Sequence, residues 1–262
     1  MNQNLNLSPA AAPMPVQSPA VRCRNFDEVA LGYDERTAME EARRCLDCPG
    51  APCRTGCPVR VRIPEFIAKV AEGDFDAAWE ILSVENTLPA VCGRVCPQEN
   101  QCQAVCVRGK KGESVAIGRL ERFVADWHRA QQEPKAPSRA EEKGKKVAVV
   151  GSGPAGLACA GELARMGYSV TVFEALHTPG GVLAYGIPAF RLPKDILHEE
   201  IAGLEKLGVT EIEAKTFDPS LHNAVMHVED ETKGDGEIVE VFQKGYKKGD
   251  KVIRYAMVKS AN

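Results

Sequence analysis

Apolar residues recur at helical spacing through the first half of the chain. Ile63, Phe66, Ile67 and Val70 form one such face, which Gly73 closes. Asp74 opens a second stretch carrying Ala77, Ala78, Ile81 and Leu82, and residues 115–130 place Ile117, Leu120, Val124 and Trp127 on one stripe. Asp34 is positioned as an N-cap for a run of good helix formers that delivers Cys45 at its end, and Pro64 suits a first helical turn. These apolar positions read as helical core. Residues 131–145 carry Pro and charge without periodicity, so they read as a linker or surface crossing. At Lys146 the pattern changes: KVAVV, a glycine turn, a helical LACAGELARMG and then SVTVFE predict strand, turn, helix, strand. Past residue 210, EIVEVFQ and VIRYAMV alternate, which predicts antiparallel strands joined through Gly245 and the Lys248-Gly249-Asp250 turn. That tail reads as a separate small β unit or as a hairpin extension completing the preceding one.

Composition narrows the classes. Across 262 residues, 33 basic and 36 acidic side chains leave a net charge of −3, which gives no electrostatic footprint for nucleic acid. A hydrophobic content of 44% is enough for a core, and the length predicts two compact units with a small third. Residues 1–22 have no apolar run fit for a signal peptide, and no stretch approaches the ~18 apolar residues of a membrane helix. The expectation is a disordered leader over 1–23 and a cytoplasmic chain without membrane contact.

Cysteine spacing is the strongest chemical signal. Eight of the ten cysteines form two sets, C-x2-C-x4-C-x3-C-P (Cys45, Cys48, Cys53, Cys57) and C-x3-C-P-x4-C-x3-C (Cys92, Cys96, Cys102, Cys106). Zinc prefers close pairs separated by a finger-length spacer, whereas iron–sulfur proteins use tight triplets plus a cysteine followed by proline. Cys57-Pro58 and Cys96-Pro97 fit the second habit, so two 4Fe–4S clusters are favoured over zinc or disulfides. Cys23 and Cys159 read as incidental and packing residues.

The stretch Gly151-Ser-Gly153-Pro154-Ala155-Gly156 lies between a strand and a helix, the context in which G-x-G-x-x-G signals a dinucleotide. Gly151 permits the turn, Gly153 lets backbone approach a pyrophosphate, and Gly156 allows close helix–strand packing. The helix N-terminus supplies partial positive charge, and Glu174 ends the second strand where it can accept ribose hydroxyls. A structural βαβ unit with an ordinary glycine turn is the alternative. FAD and NAD both suit this turn. The second glycine loop, Thr178-Pro-Gly180-Gly181-Val-Leu183, favours the larger flavin.

The words CLDCPGAPCRTGCPVRVRIPEFI, LPAVCGRVCPQENQC, IGRLERFVADW, VAVVGSGPAGLACAGELARMGYSVTVFEA and GGVLAYGIPAFRLPK lie within about 24–209. Over that span the chain resembles the small subunit of glutamate synthase and its relatives, among them the N-terminal part of dihydropyrimidine dehydrogenase and the large subunit of NADH-dependent ferredoxin:NADP oxidoreductase. The resemblance implies one cluster on Cys45, Cys48, Cys53 and Cys106, and another on Cys57, Cys96, Cys102 and Glu121, with Cys92 a non-ligand. It implies that Gly181, Leu183 and Arg191 lie near a flavin. It further implies electron transfer from NADPH or NADH through FAD and the clusters to a large catalytic subunit of a glutamate synthase-like complex.

The last 50 or so residues are different. FDPSLHNAVMHVED and FQKGY…VIRYAMVK resemble the C-terminal β-domain of GrpE, the exchange factor of DnaK-type chaperones, which implies such a chaperone as a partner of the tail. The expected layout is therefore multidomain. A leader (1–23) precedes an all-α double-cluster domain (24–130) and a linker (131–145). A partial α/β, Rossmann-like FAD unit (146–209) and a GrpE-like β-rich tail (210–262) follow. The expectation is a truncated, chimeric chain without the NAD(P)H-binding part, with FAD held weakly or partially. The alternative function is a chaperone-interacting nucleotide exchange module.

Overall fold

The computed structural model describes residues 5–131, 138–176, 178–207, 209–210, 222–230, 232–234, 236–243, 246–248, 251–254 and 256–261. It divides into two compact units, Met1–Ser138 with Ile187–Gly203, and Arg139–Gly186 with Leu204–Asn262.

The first unit is helical. α1 (Pro19–Arg22), α2 (Glu35–Ala42), α3 (Pro52–Gly56), α4 (Ile63–Glu72), α5 (Phe75–Glu85), α6 (Pro89–Val95) and α7 (Ile117–Arg129) follow in order. Local chemistry sets several boundaries. Asp34 accepts a hydrogen bond from Thr37 N at 2.7 Å and Asp74 one from Ala77 N at 3.1 Å, so each caps its helix. α4 begins with Pro64 in its first turn and ends at Gly73 with φ 82°, a left-handed closure that glycine adopts without Cβ strain. The core joins Ile63, Phe66, Ile67 and Val70 of α4 to Leu82 of α5 and Leu120 and Val124 of α7. Phe75 stands edge-on to Phe123 (5.0 Å) and Trp127 (5.3 Å). α6 and α7 approach so closely that a Cβ on Gly93 would lie 2.5 Å from Arg122 N.

Three expectations change here. Residues 5–17, expected as part of a disordered leader, are tied down. Asn6 N donates to Arg43 O (3.0 Å), Ala12 N to Glu41 Oε2 (2.6 Å), and Val16 bridges Ala30 antiparallel. The reason is a buried pair: Glu41 and Arg44 lie 2.7 Å apart with side chains 0% and 1% exposed, and their spare hydrogen-bonding capacity is filled by the leader and by residues 113–116. That bridge also means the unit is not purely α. Finally, Ile187–Gly203 was expected inside the nucleotide unit but packs with the helices. Val29 N donates to Phe190 O at 3.0 Å, Ile196 joins Ala90 and Ala125, and Arg129 pairs with Glu199 at 2.6 Å.

The second unit holds β1 (Lys146–Val150), α8 (Pro154–Arg165), β2 (Ser169–Phe173) and α9 (Val182–Tyr185). α10 (Lys194–Lys206) ends in this unit, and β3 (Val209–Thr210) pairs beside β2. β1, β2 and β3 make a parallel sheet in that order, with Val147 opposite Val170 and Val170 opposite Val209. Of the expected linker, 132–137 lies outside the described residues. Residues 138–145 dock on this unit, with Ala140 N bonding Arg165 O (2.8 Å) and Lys143 over the Tyr168 ring (4.7 Å).

In the tail, β4 (His222–Val228), β5 (Ile238–Gln243), β6 (Tyr246–Lys248), β7 (Lys251–Arg254) and β8 (Ala256–Ala261) form two sheets. β5 pairs antiparallel with β8, as the alternation predicts, and β4 pairs parallel with β8, which it does not. β6 and β7 pair antiparallel. The connecting Gly245, Gly249 and Asp250 lie outside the described residues. Among the described residues no helix is long and apolar enough to cross a membrane.

Candidate functional site

The chain folds its cysteines into two groups. α2 ends at Ala42 and delivers Cys45 to a half-buried position; α3 presents Cys53, and the turn after α3 presents Cys57. Cys45, Cys48, Cys53 and Cys106 line one apolar cavity with Ile63, Ile67, Val115 and Ile117. Burial pushes the Cys45 thiol up to about 11, and the neighbouring Cys53, Cys106 and Cys48 push the same way. The expected first ligand set is thus assembled from residues far apart in sequence.

Cys57, Cys96, Cys102 and Glu121 make the second group. Burial raises Cys102 to about 12 and Cys96 to about 11, and in both the next cause is the negative charge of Glu121, followed by Cys57. Glu121 itself is buried on α7, and burial pushes its carboxyl up to about 7 against the opposing hydrogen bond from Asn86. That bond, Asn86 Nδ2 to Glu121 Oε1 at 2.6 Å, was not visible in the sequence, where Asn86 sits in an unremarkable loop between helices. Cys92 stands beside this group, with Glu121 and Cys96 as neighbours; its thiol donates to Asn86 Oδ1 (3.5 Å), and burial, with Glu121 second, raises it. Every cysteine is a free thiol.

Four thiols in an apolar cavity are a donor set for a soft metal centre. Zinc would hold its sulfurs ~3.8 Å apart, from Zn–S bonds of ~2.3 Å in a tetrahedron. Among the described residues no three His, Cys, Asp or Glu side chains close tightly enough for one ion.

The glycine turn forms as its spacing predicts. Gly151 takes φ 93°, and a Cβ on Gly156 would overlap the Gly151 carbonyl oxygen. Pro154 and Ala155 begin α8 beside Gly153, its N-cap. Glu174 is buried. Burial works to raise its carboxyl, but hydrogen bonds from Ser152, Leu176 and Ala175 outweigh it and hold the group below its ordinary value. Oε2 accepts Ser152 N (2.8 Å) and the Ser152 hydroxyl, and Oε1 accepts Leu176 N (2.8 Å). Ser152 Oγ also accepts Gly180 N at 2.9 Å, which fastens the second glycine loop to the first. Gly181 then lies so near that its Cβ would stand 2.8 Å from Gly153 Cα. Leu183 is buried on α9, whereas Arg191 is exposed and belongs to the helical unit.

Comparison with known proteins gives the helical unit a family likeness. Residues 22–133 match the family model "Dihydropyrimidine dehydrogenase domain II, 4Fe-4S cluster". The match is to an iron–sulfur domain. Residues 149–192 match an NAD(P)-binding Rossmann-like domain, and residues 196–262 match GrpE. The chain is 42% identical over 185 residues to the NAD-dependent dihydropyrimidine dehydrogenase subunit PreT of Escherichia coli (strain K12), covering 71% of this chain and 45% of that protein. It is 38% identical over 200 residues to the glutamate synthase [NADPH] small chain of Azospirillum brasilense, covering 75% and 41%. The PreT homolog of Salmonella typhi is 40% identical over 184 residues, covering 70% and 44%. The resemblance read from the sequence is borne out, and the chain spans less than half the length of these relatives. An iron–sulfur domain followed by a Rossmann-like NAD(P)-binding segment fits electron transfer.

Proposed function

We propose that this chain is an electron-transfer module carrying two 4Fe–4S clusters and a dinucleotide beside the Gly151–Gly156 turn. Cys45, Cys48, Cys53 and Cys106 hold one cluster; Cys57, Cys96, Cys102 and Glu121 hold the other. The observation that carries this is the apolar cavity shared by Cys45, Cys48, Cys53 and Cys106, which brings together cysteines of both sequence sets. The clusters supply one-electron steps and a flavin converts them to the two-electron currency of a nicotinamide. The protein's own part is to keep the thiols in a dry, apolar shell and to deliver them as a preformed set.

At the second site Gly153 and the N-terminus of α8 would face a pyrophosphate, and Glu174, held below its ordinary value by its hydrogen bonds, would accept ribose hydroxyls. FAD is the proposed occupant, held weakly because a sheet of β1, β2 and the short β3 covers little of it. Gly181 and Leu183 would complete its surroundings within this unit. The proposed partner is a larger catalytic subunit of a glutamate synthase-like complex, a reading supported by relatives whose names call them a small chain or a subunit. Anaerobic reconstitution tests the proposal. About eight irons per chain with matching acid-labile sulfide is expected, and stoichiometric zinc without sulfide overturns it.

The GrpE match over residues 196–262 favours a second reading, in which the tail engages a DnaK-type chaperone. Faster ADP release from such a chaperone on adding this chain is the expected result, and an unchanged rate removes the reading.

A further inference from the structure

We propose that Asn86 is the residue that positions Glu121, with Cys92 acting as a thiol donor to Asn86 and not as a cluster ligand. This rests on the reading above that Glu121 ligates the second cluster. Asn86 is the C-cap of α5, and its side chain is buried. Its Oδ1 accepts two hydrogen bonds, from Leu88 N at 3.1 Å and from Cys92 Sγ at 3.5 Å. With both donors on the carbonyl side, the amide nitrogen is turned to Glu121 Oε1, 2.6 Å away. Among the described residues no other hydrogen bond reaches this carboxylate, so Oε1 is fixed and Oε2 is left for iron.

The chemistry is specific to an amide. It must accept on one side and donate on the other, which an ionised aspartate or an aliphatic side chain cannot do. A hydrogen bond to a ligand oxygen withdraws electron density from the metal and raises its potential, and it also holds the ligand in one orientation. The arrangement further accounts for a cysteine that stands among ligands without being one. Cys92 lies on α6 within reach of Asn86, where its sulfur completes the amide's orientation.

The test uses the full chain, reconstituted anaerobically and titrated electrochemically while EPR is recorded. Asn86→Ala is expected to retain about eight irons. Only one of the two cluster signals should change shape, with its potential falling, and Glu121→Gln should perturb that same signal. Asn86→Asp keeps the acceptor and the volume but loses the donor, so it should reproduce the shift even if the alanine variant folds poorly. Asn86→Gln, which restores an amide donor, should move the potential back toward wild type. Cys92→Ser should keep all the iron and give a smaller shift of the same signal. Wild-type signals and potentials in both Asn86→Ala and Asn86→Asp, alongside a shifted Glu121→Gln, overturn the positioning role alone. If Glu121→Gln also leaves both signals unchanged, the ligand reading falls with it. Loss of iron in Cys92→Ser overturns the donor role of Cys92.

Discussion

The two units bury polar groups in different ways. In the helical unit the Glu41–Arg44 pair with its bonds to the leader and residues 113–116, Asn86–Glu121, and the arrangement of Arg94 and Arg122 between Glu28 and Asp126 tie together residues distant in sequence. In the sheet unit the buried polar side chains at the glycine turn, Ser152 and Glu174, serve neighbouring backbone N–H groups. On the proposed function, the first unit would hold soft ligands at fixed separations through long-range packing, and the second would present backbone to a phosphate at a glycine turn braced by Ser152 and Glu174. The helical unit should accordingly respond to side-chain changes far from the thiols, and the sheet unit to changes in its glycines.

The sharpest test removes one thiol from one group. Cys102→Ala should halve the reconstituted iron, from about eight to about four per chain, with the signal of the other cluster retained. Loss of all iron would show that the groups do not assemble separately. Next in size is the buried pair. Arg44→Ala leaves Glu41 buried without its cation, which should cost about 3–5 kcal/mol in chemical denaturation, since uncompensated buried charge is destabilising. A loss no larger than that of an exposed pair, such as the same change at Arg43, would contradict the contrast.

In the sheet unit, Gly156→Ala forces a methyl against the Gly151 carbonyl. A local loss of about 1–3 kcal/mol is expected from such overpacking, with dinucleotide-induced thermal stabilisation abolished and iron content unchanged. Retained stabilisation would show that the turn does not carry the binding. A pH-dependent effect should appear at Glu200, whose carboxyl burial raises to about 8, with Ala90 N, Arg94 and Arg129 opposing and Asp126 adding to the shift. Because the folded form binds this proton more tightly than the unfolded chain does, the contribution is favourable at low pH. It is lost as pH rises from the ordinary glutamate range through about 8. Glu200→Gln should therefore gain stability relative to wild type as pH rises over that window; parallel profiles for the two proteins would refute it. The smallest effect belongs to Cys159→Ser on the exposed face of α8, expected within about 0.5 kcal/mol of wild type by thermal melting.

Much of the local structure was legible beforehand. Asp34 and Asp74 capped the helices they precede, Gly73 closed α4, and the KVAVV and SVTVF runs became adjacent parallel strands. Such features depend on residues within one turn or one loop of each other. The leader was misread because its partner, the Glu41–Arg44 pair, lies beyond any local pattern. The parallel pairing of β4 with β8 escaped for a related reason: alternation gives the face of a strand but not its neighbour.

The sequence by itself determined the inventory: two cysteine sets, a glycine turn after a strand with an acidic residue ending the next strand, and the periods of the elements carrying them. Spacing along a chain is a one-dimensional property, and these motifs are encoded in it. Only the tertiary structure decided which thiols share a cavity, because Cys106 reaches Cys45, Cys48 and Cys53 through the packing of Ile63, Ile67, Val115 and Ile117. It alone placed Asn86 against Glu121, since a hydrogen bond between the end of α5 and the middle of α7 exists only once those helices pack. Ion pairs, amide orientation and apolar walls are short-range in space and long-range in sequence, so they had to await the fold.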